Sequence, residues 1–540
     1  MTQEPGPSPA ADPSLRSKIG RVAAASAVAL ALAQVVSLGQ TIALARLLSP
    51  SEVGLFVAGS VLTSFVGDFV EGGLRSTLVH REHDLDDTAE TIFWATLLSG
   101  VAMALVSLAA APVIGLLFDS RTAGLVAASM SGTVLLQSLT NVPEAWLQRE
   151  FSVRRRLVVG PAISLSFACV SVTLAFAGFG VWSMVLGSYA SFCVWVVCLW
   201  LICPWRPGRG RATVRLWREL AGFGLPLALG SLGDRARQGV QAVVTGTALG
   251  TSGVGLQRYG ERIARIPATA MVEISSISLF PAFSRMSRAA GRLEVGYLRA
   301  LKVVTTGAAP VSAMMLAVGE PLVVVLLGEK WRGAGVALVA MAGLGLGKAF
   351  QTVSEEAIKG AGRTKLLNWQ TASELALSVI LLLALIRPLG LVGVGLSISL
   401  TALIVGGVVV VLALQVVGVS FRQIINAAGP PILCALVGLA TVAPLEHLVF
   451  HSDRRGTWGG IGLLTVDGLV FLLVYCTSLA LISPTAVRDL LRPIRRRKDR
   501  SGSGEPVALD VGPSLDATTG EPSTPDRTQK SRRVRLDGVE

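Results

Sequence analysis

Apolar runs recur along this chain so regularly that few folds remain open to it. Fourteen stretches qualify as membrane spans: roughly 22–45, 53–79, 90–118, 123–147, 157–178, 180–203, 218–249, 252–281, 299–327, 333–358, 366–387, 390–417, 428–450 and 459–483. A helix needs about 20 apolar residues to cross a bilayer, and each run is of that order. Only 15% of the 540 residues are charged, against about 25% in soluble proteins. The expected fold class is therefore an all-α polytopic membrane protein of about fourteen transmembrane helices. Turn signals such as LSPSEVG, AGFG and LGTSG separate the runs, and glycine, proline and serine clusters of this kind interrupt helices. Tryptophans Trp94, Trp146, Trp182, Trp205, Trp217, Trp331, Trp369 and Trp458 sit near run ends, the depth an amphipathic ring prefers.

The net charge of +13 does not point to nucleic acid, because the basic residues lie in links between apolar runs. With the links numbered alternately from the N-terminus, 22 Lys and Arg fall on the starting side. The other side holds seven: Arg46, Arg121, Lys330, Arg332, Arg387, Arg454 and Arg455. Cytoplasmic links collect positive charge, so both termini are expected inside the cell. Residues 1–20 lack the apolar core of a cleavable signal peptide. The stretch from 484, with RPIRRRKDR near its start, reads as a disordered tail. The six cysteines lie in or beside apolar runs and read as packing residues.

A weak repeat divides the spans. LLSPSEVGLF (47–56) pairs with ALGTSGVGLQ (248–257) at an offset of 201, and GFGVWSMVLG (178–187) with LVGVGLSISL (391–400) at an offset of 213. Both pairings imply a period of six helices, which keeps the two halves the same way up. The expected organisation is two pseudo-symmetric six-helix bundles, 21–205 and 206–418. Two extra helices follow at 419–483, with cytoplasmic segments at 1–20 and 484–540.

Charges inside the runs carry the functional signal, since an ionisable group at the bilayer centre costs about 2.5–3.5 kcal/mol on insertion scales. Asp68, Glu71 and Arg75 stand at i, i+3 and i+7, one face of a helix. The seventh run contains Asp234 and Arg237; the eighth has Arg258, Glu261, Arg262 and Arg265, again on one face; Lys348 and Glu374 lie within the tenth and eleventh. Two readings stay open. The stripe lines a hydrated cavity for an anionic head group, or it forms a salt-bridge ladder holding helices in register. Asp68, Glu71 and Glu374 are the candidates for proton or ion coupling. His80 and His83 in HREHDLDD, and the i, i+4 pair His447 and His451, supply no complete ligand set. Neither a metal nor another cofactor is predicted, and no sequence signature of an enzyme appears.

Several stretches resemble the polysaccharide transporter (Wzx-type flippase) family, part of the superfamily that includes multidrug exporters and the lipid II flippase. They are LARLLSPSEVGLF (44–56), GDFVEGGLRSTLVHRE (67–82), AWLQREFSVRRR (145–156), GFGVWSMVLGSYAS (178–191), CPWRP (203–207), FPAFSRM (280–286), EPLVVVLLGEKWRGAG (320–335) and GAGRTK (360–365). The family's Asp-Leu-Gly-Leu after the second span is replaced by EGGL, with Glu71 as the acid. The resemblance implies two bundles around a central cavity, alternating access, and transfer of undecaprenyl-diphosphate-linked oligosaccharide across the bacterial cytoplasmic membrane. The glycan would be an exopolysaccharide, O-antigen or teichuronic-acid-type precursor. Implied partners are membrane lipids, a glycan polymerase and other assembly proteins, with no nucleic acid. By analogy with the lipid II flippase, the last two helices are expected to cradle the isoprenoid tail. The alternatives are a multidrug exporter or lipid II flippase on the same fold and, further off, a membrane-bound glycosyltransferase.

Overall fold

The computed structural model describes residues 34–71, 73–81, 83–150, 158–287 and 292–483, leaving out the side chains at 68, 71, 76, 80, 223–232, 267–278 and 281. Among the described residues every regular element is helical. In chain order these are α1 (34–47), α2 (Pro50–Glu71), α3 (Leu74–His80), α4 (Leu85–Leu117), α5 (Arg121–Ser138), α6 (Asn141–Arg149), α7 (Gly160–Phe176) and α8 (Val181–Ile202). Then come α9 (Val214–Met286), α10 (Arg292–Leu327), α11 (Arg332–Ala340), α12 (Gly343–Gly360), α13 (Gln370–Val417), α14 (Phe421–Pro444) and α15 (Gly456–Ile482). Nine described stretches are long and apolar enough on their own to cross a membrane.

The remaining expected spans emerge when helices are grouped or divided. The long α9 parts at Gly250 (φ 70°) and α13 at Gly390 (φ 55°), so each is two antiparallel spans joined by a one-glycine turn. The pairs α2–α3, α5–α6 and α11–α12 are single spans with internal breaks. Counted in this way, the described helices fall on the fourteen runs of the sequence. Local signals start several of them. Ser120, Thr213 and Ser420 cap α5, α9 and α14 by accepting from Ala123, Leu216 and Gln423 N–H groups.

Leu98, Leu116, Phe176, Leu201 and Leu473 project outward, fully consistent with a lipid solvent. The buried surfaces instead use small residues such as Ala45, Ala334 and Ala337, which let helices approach closely. Where α2 meets the second half of α9 the approach is closest. A Cβ at Gly54 would lie 1.7 Å from the Thr251 carbonyl oxygen, and one at Gly255 would lie 2.0 Å from that of Pro50. Gly255 and Thr251 are Gly54 and Pro50 shifted by 201 residues. The two contacts are therefore one contact repeated across a local two-fold, at the offset of the first sequence repeat. The second repeat is in a different register. Gly180 (φ 53°, ψ −131°) matches Gly390 (φ 55°, ψ −127°) in backbone conformation, at an offset of 210. The sequence pairing with Gly393 was drawn three residues late by a chance Gly-Val match.

One expectation is corrected. Asp68, Glu71 and Arg75 do not share a continuous helical face, because α2 ends at Glu71 and Gly73 adopts φ 68° before α3 begins. The side chains of Asp68 and Glu71 lie outside the described residues. Arg75 opens α3 and donates to Asn141 Oδ1 at 3.4 Å.

Candidate functional site

The end of the molecule holding Gly54, Gly250, Gly255 and Gly390 is closed by a seam of polar bonds. Ser51 Oγ and Thr251 Oγ1 share a hydrogen bond of 2.9 Å. Arg46 at the end of α1 donates to the Val325 and Leu326 carbonyls at 2.6 and 2.9 Å. In return, Lys330 Nζ donates to the Arg46 carbonyl at 2.9 Å and Trp331 Nε1 to that of Ala45 at 2.7 Å. The Trp331 ring is fully buried and stacks on Tyr259, with centroids 4.3 Å apart. Arg332 then gathers Glu320, Glu329 and Asp453 at 2.6, 2.6 and 2.8 Å.

Depth is measured from this seam. At ~1.5 Å per residue, Arg258 lies ~12 Å below Gly250 and Arg262 ~18 Å. Arg265 at ~22 Å is level with Asp234 on the first half of α9 and with Glu374 below Gly390, both ~24 Å down. Arg265, Asp234 and Glu374 therefore share one level, and Arg258 and Arg262 lie nearer the seam. Glu261, 4% exposed, accepts from Arg265 Nε at 2.8 Å and Nη2 at 2.7 Å. Arg265 is also within electrostatic reach of Asp234 and Glu374. Arg237, 7% exposed, donates to Asp234 Oδ1 at 2.5 Å, and its Nε is 4.0 Å from Glu374 Oε1. Lys348 Nζ donates to Glu374 Oε1 at 2.9 Å. A buried charge needs such a partner, and these pairs supply it across α9, α12 and α13.

Among the described residues the cations outnumber the acids: Arg237, Arg258, Arg262, Arg265 and Lys348 stand with Asp234, Glu261 and Glu374. Arg262 turns to α1 and donates to Ser37 Oγ at 2.7 Å. Arg258 makes no hydrogen bond or ion pair among the described residues. Its side chain borders a small cleft lined by Gln238, Gln241, Gln257 and Glu261. The carbonyl oxygens of Gln241, Gln257 and Gln351 are buried without a donor among the described residues. Gln257 and Gln351, together with Ser378, which receives Gln241 Nε2 at 3.1 Å, escaped the sequence reading, whereas Gln238 and Gln241 share a helix face with Asp234 in the sequence itself. The one signal of the two missed glutamines is position: Gln257 adjoins Arg258, and Gln351 is one turn beyond Lys348.

A second space lies among the later helices. A cavity of about 550 Å³ opens among α10, α11, α12, the second half of α13 and α14. Leu316, Leu346, Leu396, Leu400, Leu403 and Leu436 line it, and Glu320 is the one ionisable group on its wall.

An all-α bundle with internal two-fold relations and a charged middle defines a polytopic membrane protein built from two related halves. Solved structures share the fold. The lipid II flippase MurJ, in an inward closed conformation, covers 86% of this chain and 99% of its own at a TM-score of 0.67 and 14% identity. An inward-facing multidrug resistance MATE transporter covers 73% and 98% at a TM-score of 0.58 and 18% identity. A family profile described as "Polysaccharide biosynthesis protein" matches residues 43–335, and the chain belongs to that family. Among curated relatives, the succinoglycan biosynthesis transport protein ExoT of Rhizobium meliloti is 26% identical over 479 residues, spanning 85% of this chain and 92% of ExoT. The teichuronic acid biosynthesis protein TuaB of Bacillus subtilis is 18% identical, spanning 69% and 78%.

Proposed function

We propose that the protein moves an undecaprenyl-diphosphate-linked oligosaccharide across the bacterial cytoplasmic membrane by alternating access. Both termini are then cytoplasmic, following the basic links, and the closed seam faces outward. The bundles 21–205 and 206–418 are the moving bodies, with 419–483 carried on the second. The observation that carries this reading is Arg258, without a hydrogen bond or ion pair among the described residues, beside a cleft whose Gln241 and Gln257 carbonyls lack donors among those residues. A buried acceptor left without a donor costs about 1–3 kcal/mol, so water or sugar hydroxyls are the natural occupants. Arginine's planar fork fits phosphate oxygens, and a low dielectric strengthens that attraction.

The leucine-lined cavity beside α14 supports a place for the isoprenoid chain. It uses α10 to α14 rather than the last two helices alone. The work is binding and conformational exchange, without covalent chemistry. A polymerase and other glycan-assembly proteins are the proposed partners. Arg258→Ala with Arg265→Ala, expressed in a strain lacking the native transporter, tests the reading through surface delivery of the glycan. Delivery should fall at least about tenfold, since charge-assisted bonds to an anion contribute about 1.5–3 kcal/mol each. Normal delivery at normal expression refutes it.

A further inference from the structure

Away from the central cluster, two acids are buried together with no cation on them among the described residues. Glu446 is 1% exposed and Asp467 is fully buried. Glu446 follows the end of α14 in a wide helical turn, Leu445–Phe450, and Asp467 lies within α15. Glu446 is held by one residue. The Ser452 backbone N–H donates to its Oε1 at 2.8 Å, and the Ser452 hydroxyl donates to its Oε2 at 2.7 Å. Both oxygens of Asp467 are buried without a donor among the described residues, and the group the Asp467 carboxyl faces is that of Glu446. Two carboxylates side by side in a dry interior cannot both stay ionised; such a pair keeps one proton between them.

The other ionisable groups on the surrounding elements do not supply a counter-charge. On α15 itself there are only Tyr475 and Cys476, and the Tyr475 hydroxyl donates to the Thr306 carbonyl of α10 at 2.8 Å. That contact sets the register. Asp467 is eight residues along α15 from Tyr475, which puts it ~9 Å below Glu320 and ~18 Å above Lys302 on α10. Glu294, Arg299 and Arg292 on α10 lie deeper still. Glu320 is bound to Arg332. On α14, Cys434 and Arg422 are three or more turns away. On the turn, His447, Arg454 and Arg455 are exposed, His451 starts the 452–454 turn, and Asp453 is bound to Arg332 at 2.8 Å.

We infer that Glu446 and Asp467 form a proton-binding site that locks the turn between α14 and α15 onto the seam. A metal ion fits less well, because Ser452 already occupies one side of both Glu446 oxygens. The connection to the seam is short. Ser452 is bonded to Glu446, its neighbour Asp453 to Arg332, and Thr457 accepts from Arg46 Nη2 at 3.3 Å. Loss of the shared proton puts a second negative charge beside the first. The turn that Ser452 anchors must then move, and Asp453 and Thr457 move with it. Protonation from the outer side closes the seam and deprotonation loosens it, which would reset an alternating-access carrier after release of its cargo. The link to transport rests on the proposed function; the proton site itself does not.

Infrared spectroscopy of the purified protein in lipid, without substrate, tests the site. The wild type should show a protonated-carboxyl C=O stretch at pH 7 that Asp467→Asn removes. The asparagine can donate to Glu446 in the proton's place, so this variant should stay folded; Asp467→Leu, which cannot donate, should lose the same band. The lock is read separately from Ala45→Cys, introduced under Trp331 in a chain whose native cysteines are serines. Its labelling by an external maleimide, divided by that of an exposed single cysteine at the same pH to remove the thiol's own titration, should rise with pH, by at most roughly tenfold per unit for one linked proton, and become slow and flat with Asp467→Asn. An unchanged band in both Asp467 variants overturns the site, and unchanged pH dependence of labelling overturns the lock. If glycan delivery fails while band and labelling behave as stated, the flippase reading falls and the proton site stands.

Discussion

The Gly54–Gly255 contact offers the sharpest test of how the two halves move. Replacing Gly54 by alanine puts a methyl 1.7 Å from the Thr251 carbonyl oxygen, where ordinary contact begins near 3.4 Å, so the backbones must part by about 1.7 Å. No flexible side chain can absorb this, because the obstacle is backbone. Overpacking of this kind costs about 1–3 kcal/mol, and all of it falls on the closed seam. An equilibrium between closed and parted seams would then shift by about 5–150-fold. Gly255→Ala meets the Pro50 carbonyl at 2.0 Å and should act in the same direction with similar size, because the local two-fold makes the positions equivalent. Gly239→Ala is the control, since its methyl would sit 3.5 Å from Val61 Cγ1. The assay is external maleimide labelling of Ser51→Cys in cells. Both seam variants should label faster than the parent chain and the control should not. Seam variants that label no faster than Gly239→Ala, or that act in opposite directions, would refute a seam that parts along this contact.

Three further outcomes follow from the same geometry. Trp331→Phe keeps the stack on Tyr259 but strands the buried Ala45 carbonyl, and should lower stability by about 1–3 kcal/mol, visible as earlier thermal unfolding in detergent; an unchanged transition would show that this bond contributes nothing. Arg332→Ala frees Glu320, Glu329 and Asp453 together and should raise labelling at Ala45→Cys, whereas a rate equal to the parent's would detach this network from the seam. Lys348→Glu or Glu374→Lys alone should abolish delivery by pairing like charges, and the double exchange should restore part of it; no restoration would mean that their contact is incidental to transport.

Much of the architecture was legible because each span declares itself by length and apolarity, whatever its neighbours do. The turns at Gly250 and Gly390 fall where the runs were divided. What sequence missed was interruption inside a run. Gly73 breaks the second span within the polar stretch EGGLRST, where the charges were read ahead of the glycine pair, so Asp68, Glu71 and Arg75 looked like one stripe. The arginine stripe on α9 was readable from spacing, but its partners were not. Glu374 is over a hundred residues from Arg237 and meets it only because the first half of α13 packs against α9. Ser37 on α1 was equally invisible as a partner of Arg262. The acids of α14 and α15 were overlooked for the opposite reason. VAPLEHLVF and LLTVDGLVF each contain a single carboxylate, and only tertiary contact shows that the two face one another. Of the two histidines in the turn beside Glu446, His447 is exposed and His451 half-buried.

Flipping in vesicles measures the main proposal with nothing else present. Purified protein would be reconstituted into liposomes carrying undecaprenyl-diphosphate-linked oligosaccharide with a fluorescent sugar, and loss of protection from an external quencher followed over time. Transfer well above protein-free vesicles, and reduced about tenfold or more by Arg258→Ala with Arg265→Ala, is the predicted result. Transfer at the protein-free rate, or equal rates with and without those two arginines, would contradict it.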